Sequence, residues 1–444
     1  MKKIILLIIF IIGLMFIILS YDKIVRSKIY AHNISQYYNE KNNIDVFFLG
    51  SSRIYYPMSP MYIWHKYGVV SYNRGASGQY YKISYILEEE IFKKYKPKLI
   101  VFDIAYLQSL SFEGPNRVDI SLANLKNNYF KYYAYKYIYN NKKEALKHMN
   151  TIDRFHTRWK ELNKYDFNTE SYWKGQYTGS YVTKGMWDKL HLIFPIQNNN
   201  YDDIDNIVLD TKSVQYAEMM VNLAEKNKCK ILFVKIIHQS SKNSIEYDNA
   251  FKELAENKGW NFIDYNKMNN ILNINFKTDM KDWSHLNLYG SRKVMDHLIP
   301  YIIENYDIPV RKGDPKYKKW DEDYIKYARV INREEIRELP DFNRWKIQAF
   351  YDNYTVMISS NNNVMNKLPQ DIKSFLKSKG LTKYETNKAN MRYVAIIDDN
   401  KVFFEEISEK PVEYKGRMKR KVNLLVKSDG NSIINVSGKQ RSKN

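Results

Sequence analysis

The chain has one cysteine, Cys229, among 444 residues, and this excludes an intrachain disulfide framework. Cys229 lies between a lysine-rich helix end and an apolar strand, where we expect an unpaired structural thiol. Metal-ligand patterns are also missing, because His156, His238 and His297 have no second ligand at a useful spacing. We therefore expect structural histidines, and neither a metal nor another cofactor.

Acidic residues are few relative to basic ones, 49 against 70, which gives a formal charge of +21. Such an excess favours polyanionic surroundings, namely nucleic acid, anionic lipid headgroups or an anionic cell-surface polymer. No nucleic-acid-binding motif accompanies the charge, so no nucleic-acid partner is expected. The alternative is a purely compositional origin, since Lys, Asn, Ile and Tyr are all abundant.

One uncharged, almost wholly apolar stretch runs from Ile4 to Leu19, directly after Lys2 and Lys3. No small-residue cleavage site such as Ala-x-Ala follows it, which favours an uncleaved membrane anchor over a signal peptide. Residues 1–29 are therefore predicted to be a single-pass anchor in the cell membrane. Basic residues flank both of its ends, and we expect the N-terminus in the cytoplasm and the bulk of the chain outside.

Short apolar strands alternate with helical patterns between residues 30 and 306. Because each strand is a continuous apolar run, the pattern indicates an α/β fold with a parallel sheet covered on both faces. The predicted helices are 80–95, a segment around Val214 to Ala224, and 290–305. The predicted strands are Asp45–Leu49, Val69–Tyr72, Leu99–Phe102, Lys230–Ile237 and Asn261–Tyr265.

Three further regions depart from this alternation. Residues 109–208 are rich in Tyr, Lys and Asn and are predicted to be a helical insertion that caps the site. Residues 307–340 are charged and loosely patterned, which predicts a linker. Residues 341–444 combine short strands and turns with one helix at 369–378, which predicts a separate small α+β or β-rich domain.

Two motifs can together supply a nucleophilic triad. Gly50-Ser51-Ser52-Arg53 follows the first predicted strand, and Asp282-Trp283-Ser284-His285 stands late in the domain. A serine can attack, a histidine can take its proton, and an aspartate can hold the imidazole in the required tautomer. Loops at the carboxyl ends of parallel strands build active sites, so these motifs are expected to meet there. The alternative is that each is an ordinary turn.

With these motifs in view, residues 42–306 without the insertion resemble the SGNH hydrolases, also called GDSL-like. The resemblance makes Ser52 the nucleophile and Ser51 its understudy. It makes Asp282 and His285, followed by Leu286-Asn287 and Gly290, the family's last block. It also implies a three-layer fold of the flavodoxin-like kind. Asn73-Arg74-Gly75-Ala76-Ser77-Gly78 resembles the second block, so Gly78 and Ser52 would donate backbone N–H groups to the oxyanion.

The third family block departs from the pattern. A Gly-x-Asn-Asp segment is expected after Phe102, but the sequence reads Asp103-Ile104-Ala105-Tyr106-Leu107-Gln108. The oxyanion-donating asparagine is missing, and Gln108 is at best a substitute for it. Asp103 would either orient the Ser52 loop or cap a helix. Arg53, Asn73 and Gln108 are the candidate substrate-binding residues, and a structural ion pair is the alternative for Arg53.

Membrane-anchored relatives of this superfamily share the missing asparagine, and they include the teichoic-acid D-alanylation and alginate O-acetylation proteins. This likeness implies an extracytoplasmic acyltransferase or esterase that acts on a cell-surface polysaccharide or teichoic acid-like polymer. A membrane acyl exporter would be a partner of the transferase. The alternative is a non-catalytic glycan-binding scaffold. The C-terminal domain resembles the interleukin-like EMT inducer domain, also called PANDER-like, which implies a glycan-docking role.

Overall fold

The computed structural model describes residues 2–25, 31–107, 114–149, 152–162, 166–167, 183–186, 207–337, 348–349, 355–360, 376–377, 380–385, 391–398, 401–418, 422–429 and 432–437. The chain divides into two compact units, residues 1–324 and 325–444. The first unit is built around a parallel sheet, and the second contains antiparallel strands. The predicted α/β class of the first unit is confirmed.

The sheet of the first unit has five parallel strands in the order β2-β1-β3-β4-β5. The order reverses between β1 and β3, and open parallel sheets form their ligand sites at such a switch point. The strands are β1 Val46–Leu49, β2 Ser71–Asn73, β3 Leu99–Asp103, β4 Lys230–Lys235 and β5 Asn261–Asp264. The ends of all five lie within two residues of the predicted ends.

Helices cover both faces of this sheet. The first unit also contains a short antiparallel pair, β6 Met280–Asp282 and β7 His285–Leu286. The helices are α1 Lys2–Val25, α2 Ala31–Asn39, α3 Ser52–Tyr55, α4 Pro60–Tyr67, α5 Tyr81–Lys94, α6 Pro115–Leu122, α7 Asn128–Tyr139, α8 Lys142–Met149, α9 Ile152–Phe155, α10 Thr211–Lys226, α11 Lys242–Lys258, α12 Leu288–Asn305 and α13 Lys318–Arg337.

Successive residues of a strand point to opposite faces of the sheet. The two faces of this sheet are packed with different kinds of side chain. Phe48, Val101 and Val234 belong to an aliphatic core with residues of α4 and α12. The opposite face is aromatic: the Phe47 ring lies 6.2 Å from Tyr37 of α2. On that face the Phe233 ring also lies 5.2 Å from Phe251 of α11. β1 and the first four residues of β3 are therefore apolar on both faces, whereas β2, β4 and β5 also carry polar residues.

The described part of the predicted insertion is helical and comprises α6 to α9, a 3₁₀ turn His156–Glu161 and the segment 183–186. It is firmly attached to the sheet domain. The Lys184 carbonyl accepts a hydrogen bond from Asn73 N–H of β2 at 2.9 Å. The Lys184 ammonium, buried to 4 % exposure, pairs with Glu40 at 2.9 Å and Asp323 at 3.1 Å.

The segment predicted to be a linker, residues 307–340, has regular structure over much of its described part, 307–337. Arg311 packs on the first unit, where its N–H donates to Gly68 O at 2.7 Å and its guanidinium pairs with Asp45 at 3.0 Å. The 20-residue helix α13 follows. Its fully buried Trp320 and the buried Tyr327 and Ile331 recur at helical spacing, and charged neighbours on the other positions obscure this pattern.

The second unit contains two antiparallel sheets that share a core. Ser359 Oγ donates to Lys427 O at 2.6 Å and Ser428 Oγ to Ser360 O at 2.7 Å, and these bonds join the sheets. The predicted β-rich character is confirmed for the described residues. The predicted helix 369–378 lies outside them except for 376–377. The strands are β8 Gln348–Ala349, β9 Thr355–Ser360, β10 Arg392–Asp398, β11 Lys401–Ser408, β12 Val412–Met418, β13 Val422–Ser428 and β14 Ser432–Ser437.

Candidate active site

Ser52 lies at a strand–turn–helix junction at the carboxyl end of β1. Gly50 makes the turn with φ +142°, and a Cβ there would lie 3.2 Å from Asp103 Cβ. Ser51 is the N-cap of α3, because its Oγ accepts the Arg53 N–H at 3.2 Å. Ser52 is the first residue of α3 and is half-buried. The turn therefore presents Ser52 at the edge of the sheet.

The structure brings Ser52, His285 and Asp282 together. His285 Nε2 lies 2.8 Å from Ser52 Oγ, although the two residues are 233 positions apart in the chain. His285 Nδ1 lies 2.8 Å from Asp282 Oδ1 and 3.0 Å from Oδ2. Both distances are those of hydrogen bonds, with the serine hydroxyl donating to Nε2 and Nδ1–H donating to the carboxylate. The three groups form one continuous chain of hydrogen bonds.

The loop that carries Asp282 and His285 is fixed at both ends. Ser284 N–H donates to Asp282 Oδ1 at 2.8 Å, and Gln239 N–H, which follows β4, donates to Trp283 O at 2.9 Å. Asn287 caps α12 and also donates to Thr278 O at 2.6 Å. The loop is thereby held against the carboxyl edge of the sheet, although Trp283 at its tip is 68 % exposed.

Asp282 is ionised near neutral pH. Its partial burial raises the pKa of the carboxyl. The hydrogen bond from His285, the charge of His285, the Ser284 N–H and the nearby Lys281 outweigh this effect and lower the pKa to about 2. An ionised carboxylate is the form that can orient an imidazole and stabilise its positive charge.

Ser51 faces the interior. It is 1 % exposed, and its Oγ lies 3.5 Å from Asp103 Oδ2 at the end of β3. Burial raises the pKa of Asp103 to about 6, although Lys235, Arg53 and the Ile236 N–H oppose the shift. Lys235 is itself fully buried and pairs with Asp248 at 2.7 Å. We call the four residues Ser51, Asp103, Lys235 and Asp248 the buried network. It lies beneath the turn that carries Ser52.

The second predicted block runs beside the Ser52 turn. Arg74 N–H donates to Phe48 O at 2.8 Å, and Ala76 N–H donates to Gly50 O at 3.1 Å. Gly78 then adopts φ +60°, the left-handed region that favours glycine. These bonds place the loop that carries Gly78 next to the residues that precede Ser52.

Arg117 of α6 lies directly over Gly78. A Cβ added at Gly78 would lie 1.9 Å from Arg117 Nη1 and 2.5 Å from its Cζ, so the guanidinium covers this glycine. The same guanidinium lies 5.9 Å from the ring centre of Tyr106, in the segment where the third family block would be. No sequence signal marks Arg117, because it lies in the insertion, far from both blocks in the chain.

The three predicted substrate-binding residues have different environments. Asn73 is 2 % exposed, and its amide donates to Ile54 O at 3.1 Å and Met58 O at 2.9 Å, while its oxygen accepts the Gly75 N–H. It therefore holds the chain around α3, and its role in substrate binding stays a prediction. Arg53 is half-buried beside Ser52. Gln108 lies outside the described residues.

His238, which follows β4, is a buried neighbour of the site that its sequence context does not single out. Burial, and then the positive charges of Arg53 and Lys235, lower the pKa of His238 well below its ordinary value. Its Nδ1 lies 3.2 Å from Ile236 O, and its Nε2 lies 3.2 Å from Ser240 Oγ. His238 is therefore a neutral, hydrogen-bonded part of the loop that supports Trp283.

Within the described ranges, no three His, Cys, Asp or Glu side chains lie close enough together to hold a metal ion. Helix α1 is long and apolar enough to cross a membrane, with a mean hydropathy of 3.1, and a signal sequence would have the same properties.

No protein-family model matches the chain, and no curated protein matches it. The geometry of the site itself is thus the basis for a functional assignment.

Proposed function

We propose that the protein is a membrane-anchored, extracytoplasmic serine acyltransferase or esterase of the SGNH type. It adds or removes O-acyl groups on a cell-surface polysaccharide or teichoic acid-like polymer. The observation that carries the proposal is the continuous hydrogen-bonded chain from Ser52 Oγ through His285 to Asp282. Such a chain activates a hydroxyl that is otherwise a weak nucleophile.

The strand order, with the serine at the switch point, supports the SGNH assignment. So do the glycine-containing loop bonded to Gly50 and the Asp-x-x-His loop that precedes the last helix of the sheet domain. The apolar α1 supports a membrane anchor, and the formal charge of +21 suits an anionic surface or polymer.

In the first half-reaction, His285 Nε2 takes the proton from Ser52 Oγ as the oxygen attacks the acyl carbon of the donor. The carbonyl electrons move to the oxygen and form a tetrahedral oxyanion. When this intermediate collapses, the bond to the donor alcohol breaks and His285 returns the proton to the leaving oxygen. Asp282 stabilises the imidazolium between these steps. The product is an ester on Ser52.

In the second half-reaction, a hydroxyl group attacks the Ser52 ester while His285 takes its proton. When the second tetrahedral intermediate collapses, the bond between the acyl carbon and Ser52 Oγ breaks and His285 returns the proton to Oγ. If the hydroxyl belongs to a sugar or polyol unit of the polymer, the acyl group is transferred. If it belongs to water, the ester is hydrolysed. A transferase must exclude water from its acyl-enzyme, and α6 of the insertion already reaches Gly78 through Arg117.

Arg117 compensates for the missing third-block asparagine. The backbone N–H groups of Ser52 and Gly78 are the proposed oxyanion donors, and the Arg117 guanidinium lies against Gly78. A positive charge beside the developing oxyanion stabilises the transition state, as an amide donor does in other members of the superfamily. We assign Arg117 this role in the proposed reaction.

The second unit is proposed to dock the enzyme on its polymer. Its exposed Phe403 has 52 % of its surface accessible and lies 5.7 Å from the Tyr414 ring. Exposed aromatic side chains suit contact with the apolar faces of sugar rings. This role is consistent with the likeness to the interleukin-like EMT inducer domain.

A fluorophosphonate probe tests the catalytic proposal. We expect one adduct on the full-length protein in detergent, mapped to Ser52 by peptide mass spectrometry. The adduct should disappear in His285→Ala, because the hydroxyl is then no longer activated. It should persist in Ser51→Ala, the matched control, because that neighbouring hydroxyl faces the buried network. Absence of any adduct on protein shown to be folded by circular dichroism would instead favour the non-catalytic glycan-binding scaffold.

A further inference from the structure

The exposed, apolar helix α1 changes character at its C-terminal end. Along the apolar run the side chains of α1 are largely exposed, and Phe16 is 72 % exposed. At the end of the helix, Asp22 is 6 % exposed and Val25 is fully buried. The end of α1 is therefore packed against other parts of the first unit.

The 3₁₀ turn His156–Glu161 holds this end. Arg158 Nη1 donates to Val25 O at 2.9 Å, which caps a terminal carbonyl of α1 with a cation. The other guanidinium nitrogen, Nη2, pairs with the buried Asp166 at 2.7 Å. Tyr21 OH donates to His156 O at 3.3 Å. The turn is thus fixed to α1 at two positions, Tyr21 and Val25, which are about one helical turn apart.

The turn also carries an exposed aromatic and basic surface. Trp159 is 59 % exposed, and the Lys160 ammonium lies 5.8 Å from its ring centre. Phe167, next to the buried Asp166, is 65 % exposed. Tryptophan and lysine are the residues that prefer the boundary between lipid tails and water, because each combines an apolar body with a polar end.

The length of α1 places this surface along the membrane normal. The run from Ile4 to Leu19 has 16 residues and spans about 24 Å at ~1.5 Å per residue, somewhat less than a hydrocarbon core of about 30 Å. Residues 20 to 23 cover the remaining ~6 Å, so the C-terminal end of α1 reaches the boundary of the headgroup layer if α1 crosses the bilayer. Tyr21 lies at that level and is bonded to the turn.

We propose that the turn His156–Glu161, together with Phe167, is a membrane-binding collar. In this arrangement Trp159 and Lys160 lie in the lipid headgroup layer of the membrane that α1 crosses. The collar supplements the single anchor and fixes the direction in which the catalytic unit faces relative to the bilayer. The proposal rests on the membrane anchor of the proposed function and is independent of its chemistry.

Site-specific fluorescence quenching of the full-length protein in lipid nanodiscs tests the collar. Cys229 is buried, and Cys229→Ala leaves no other cysteine for labelling. A fluorophore is then attached to Trp159→Cys, to Phe16→Cys within α1, or to Ile271→Cys, a control side chain with 71 % exposure. The nanodiscs contain lipids with a nitroxide quencher either on the headgroup or in the middle of the acyl chain.

We expect headgroup nitroxides to quench the label at 159 at least twofold more than the label at 271, and acyl-chain nitroxides to quench the label at 16. Equal headgroup quenching at 159 and 271, with position 16 quenched as expected, would overturn the collar and leave the anchor intact. If position 16 is not quenched, α1 does not cross the bilayer and the collar fails with the anchor. Labelling of Ser52 by a fluorophosphonate would be unaffected in either case.

Discussion

The two loops that form the candidate site are built in different ways. The nucleophile turn, residues 50–55, is held from inside the protein. Ser51 is 1 % exposed and belongs to the buried network, and the Asn73 amide holds the backbone around α3. The acid–base loop, residues 281–285, has no buried residue and is held by hydrogen bonds at the sheet edge, from Gln239 N–H to Trp283 O and from Ser284 N–H to Asp282 Oδ1. It exposes Trp283 to solvent. One loop is part of the core, and the other lies on it.

This difference between the two loops predicts which substitutions change the free energy of unfolding and which change the reaction rate. Changes beneath the nucleophile turn disturb buried charges, so we expect them to alter the free energy of unfolding first. Changes in the acid–base loop remove groups that are half-exposed in the folded protein, so we expect them to alter the rate with little effect on folding. Substitutions in each of the two loops test this distinction.

Among substitutions that keep Ser52 and His285, the largest rate effect is expected for Asp282→Asn. The amide keeps the size of the side chain but loses the charge that stabilises the imidazolium, and its NH₂ favours the wrong tautomer of His285. Loss of an equivalent carboxylate in serine hydrolases costs about 10⁴ in kcat. We expect a similar loss in the rate of fluorophosphonate labelling, with an unfolding midpoint close to that of the wild type.

Trp283→Ala is the matched control for that prediction, because Trp283 belongs to the same loop but is 68 % exposed and makes its loop contact through its carbonyl. Its labelling rate should fall by less than about tenfold, since surface substitutions away from special features have small effects. A drop in unfolding midpoint for Asp282→Asn as large as for a core substitution would contradict the contrast between the loops.

The sequence predicts the acid–base loop and the nucleophile turn because their signals are local. Each strand of the parallel sheet is a short apolar run, and Ser52 follows one such run directly. The Asp-x-x-His spacing places both side chains on one tight turn. Parallel strands bring their carboxyl ends to the same edge, so the meeting of the two motifs follows from the strand pattern.

Other parts of the site depend on contacts that leave no local pattern. Arg117 reaches Gly78 from an inserted helix, and nothing in its neighbourhood distinguishes it from other surface arginines. Asn73 resembles a substrate ligand in the sequence, but its amide is consumed by two backbone carbonyls. Lys235 appears as the polar end of a strand, and only the fold shows that Asp248 of α11 lies opposite it.

Arg117→Gln is expected to have an intermediate effect and tests a third region, the insertion, against the two loops. Losing one donor to an oxyanion costs about 10²–10³ in kcat, so labelling of Ser52 should slow by about 100-fold. Arg117→Lys should recover part of this loss, because it keeps the charge. The neighbouring exposed residue gives the control Asn116→Gln, whose labelling rate should equal that of the wild type.

Gly78→Ala, alone and combined with Arg117→Ala, tests whether the Arg117 guanidinium contacts Gly78 in solution. The added Cβ would meet the guanidinium at 1.9 Å, so combining Gly78→Ala with Arg117→Ala should relieve the steric part of the defect. The strain of alanine at φ +60° would stay, at about 1 kcal/mol. If the two substitutions instead add without any relief in unfolding free energy, Arg117 does not lie over Gly78 in solution.

The smallest effect on rate, and the sharpest test of the nucleophile turn, is expected for Asp103→Asn. Burial raises the pKa of Asp103 from 3.8 to about 6, so the folded protein binds this proton more tightly than the unfolded chain. The wild type should therefore lose stability relative to Asp103→Asn as pH rises from about 4 to 6, with no further change above that. The full change corresponds to about 3 kcal/mol, at about 1.4 kcal/mol per pKa unit.

Urea unfolding of both proteins at several pH values between 4 and 8 measures this difference. Comparing the two proteins at each pH cancels the contributions of His238 and Asp282, which titrate in both. A difference that is constant with pH would show that Asp103 is ionised throughout the range, as an ion-paired carboxylate would be. A slope of the predicted sign would show that the interior beneath Ser51 disfavours a negative charge. The Ser52 turn would then be set by a buried acid that accepts a hydrogen bond from Ser51 without being part of the reaction.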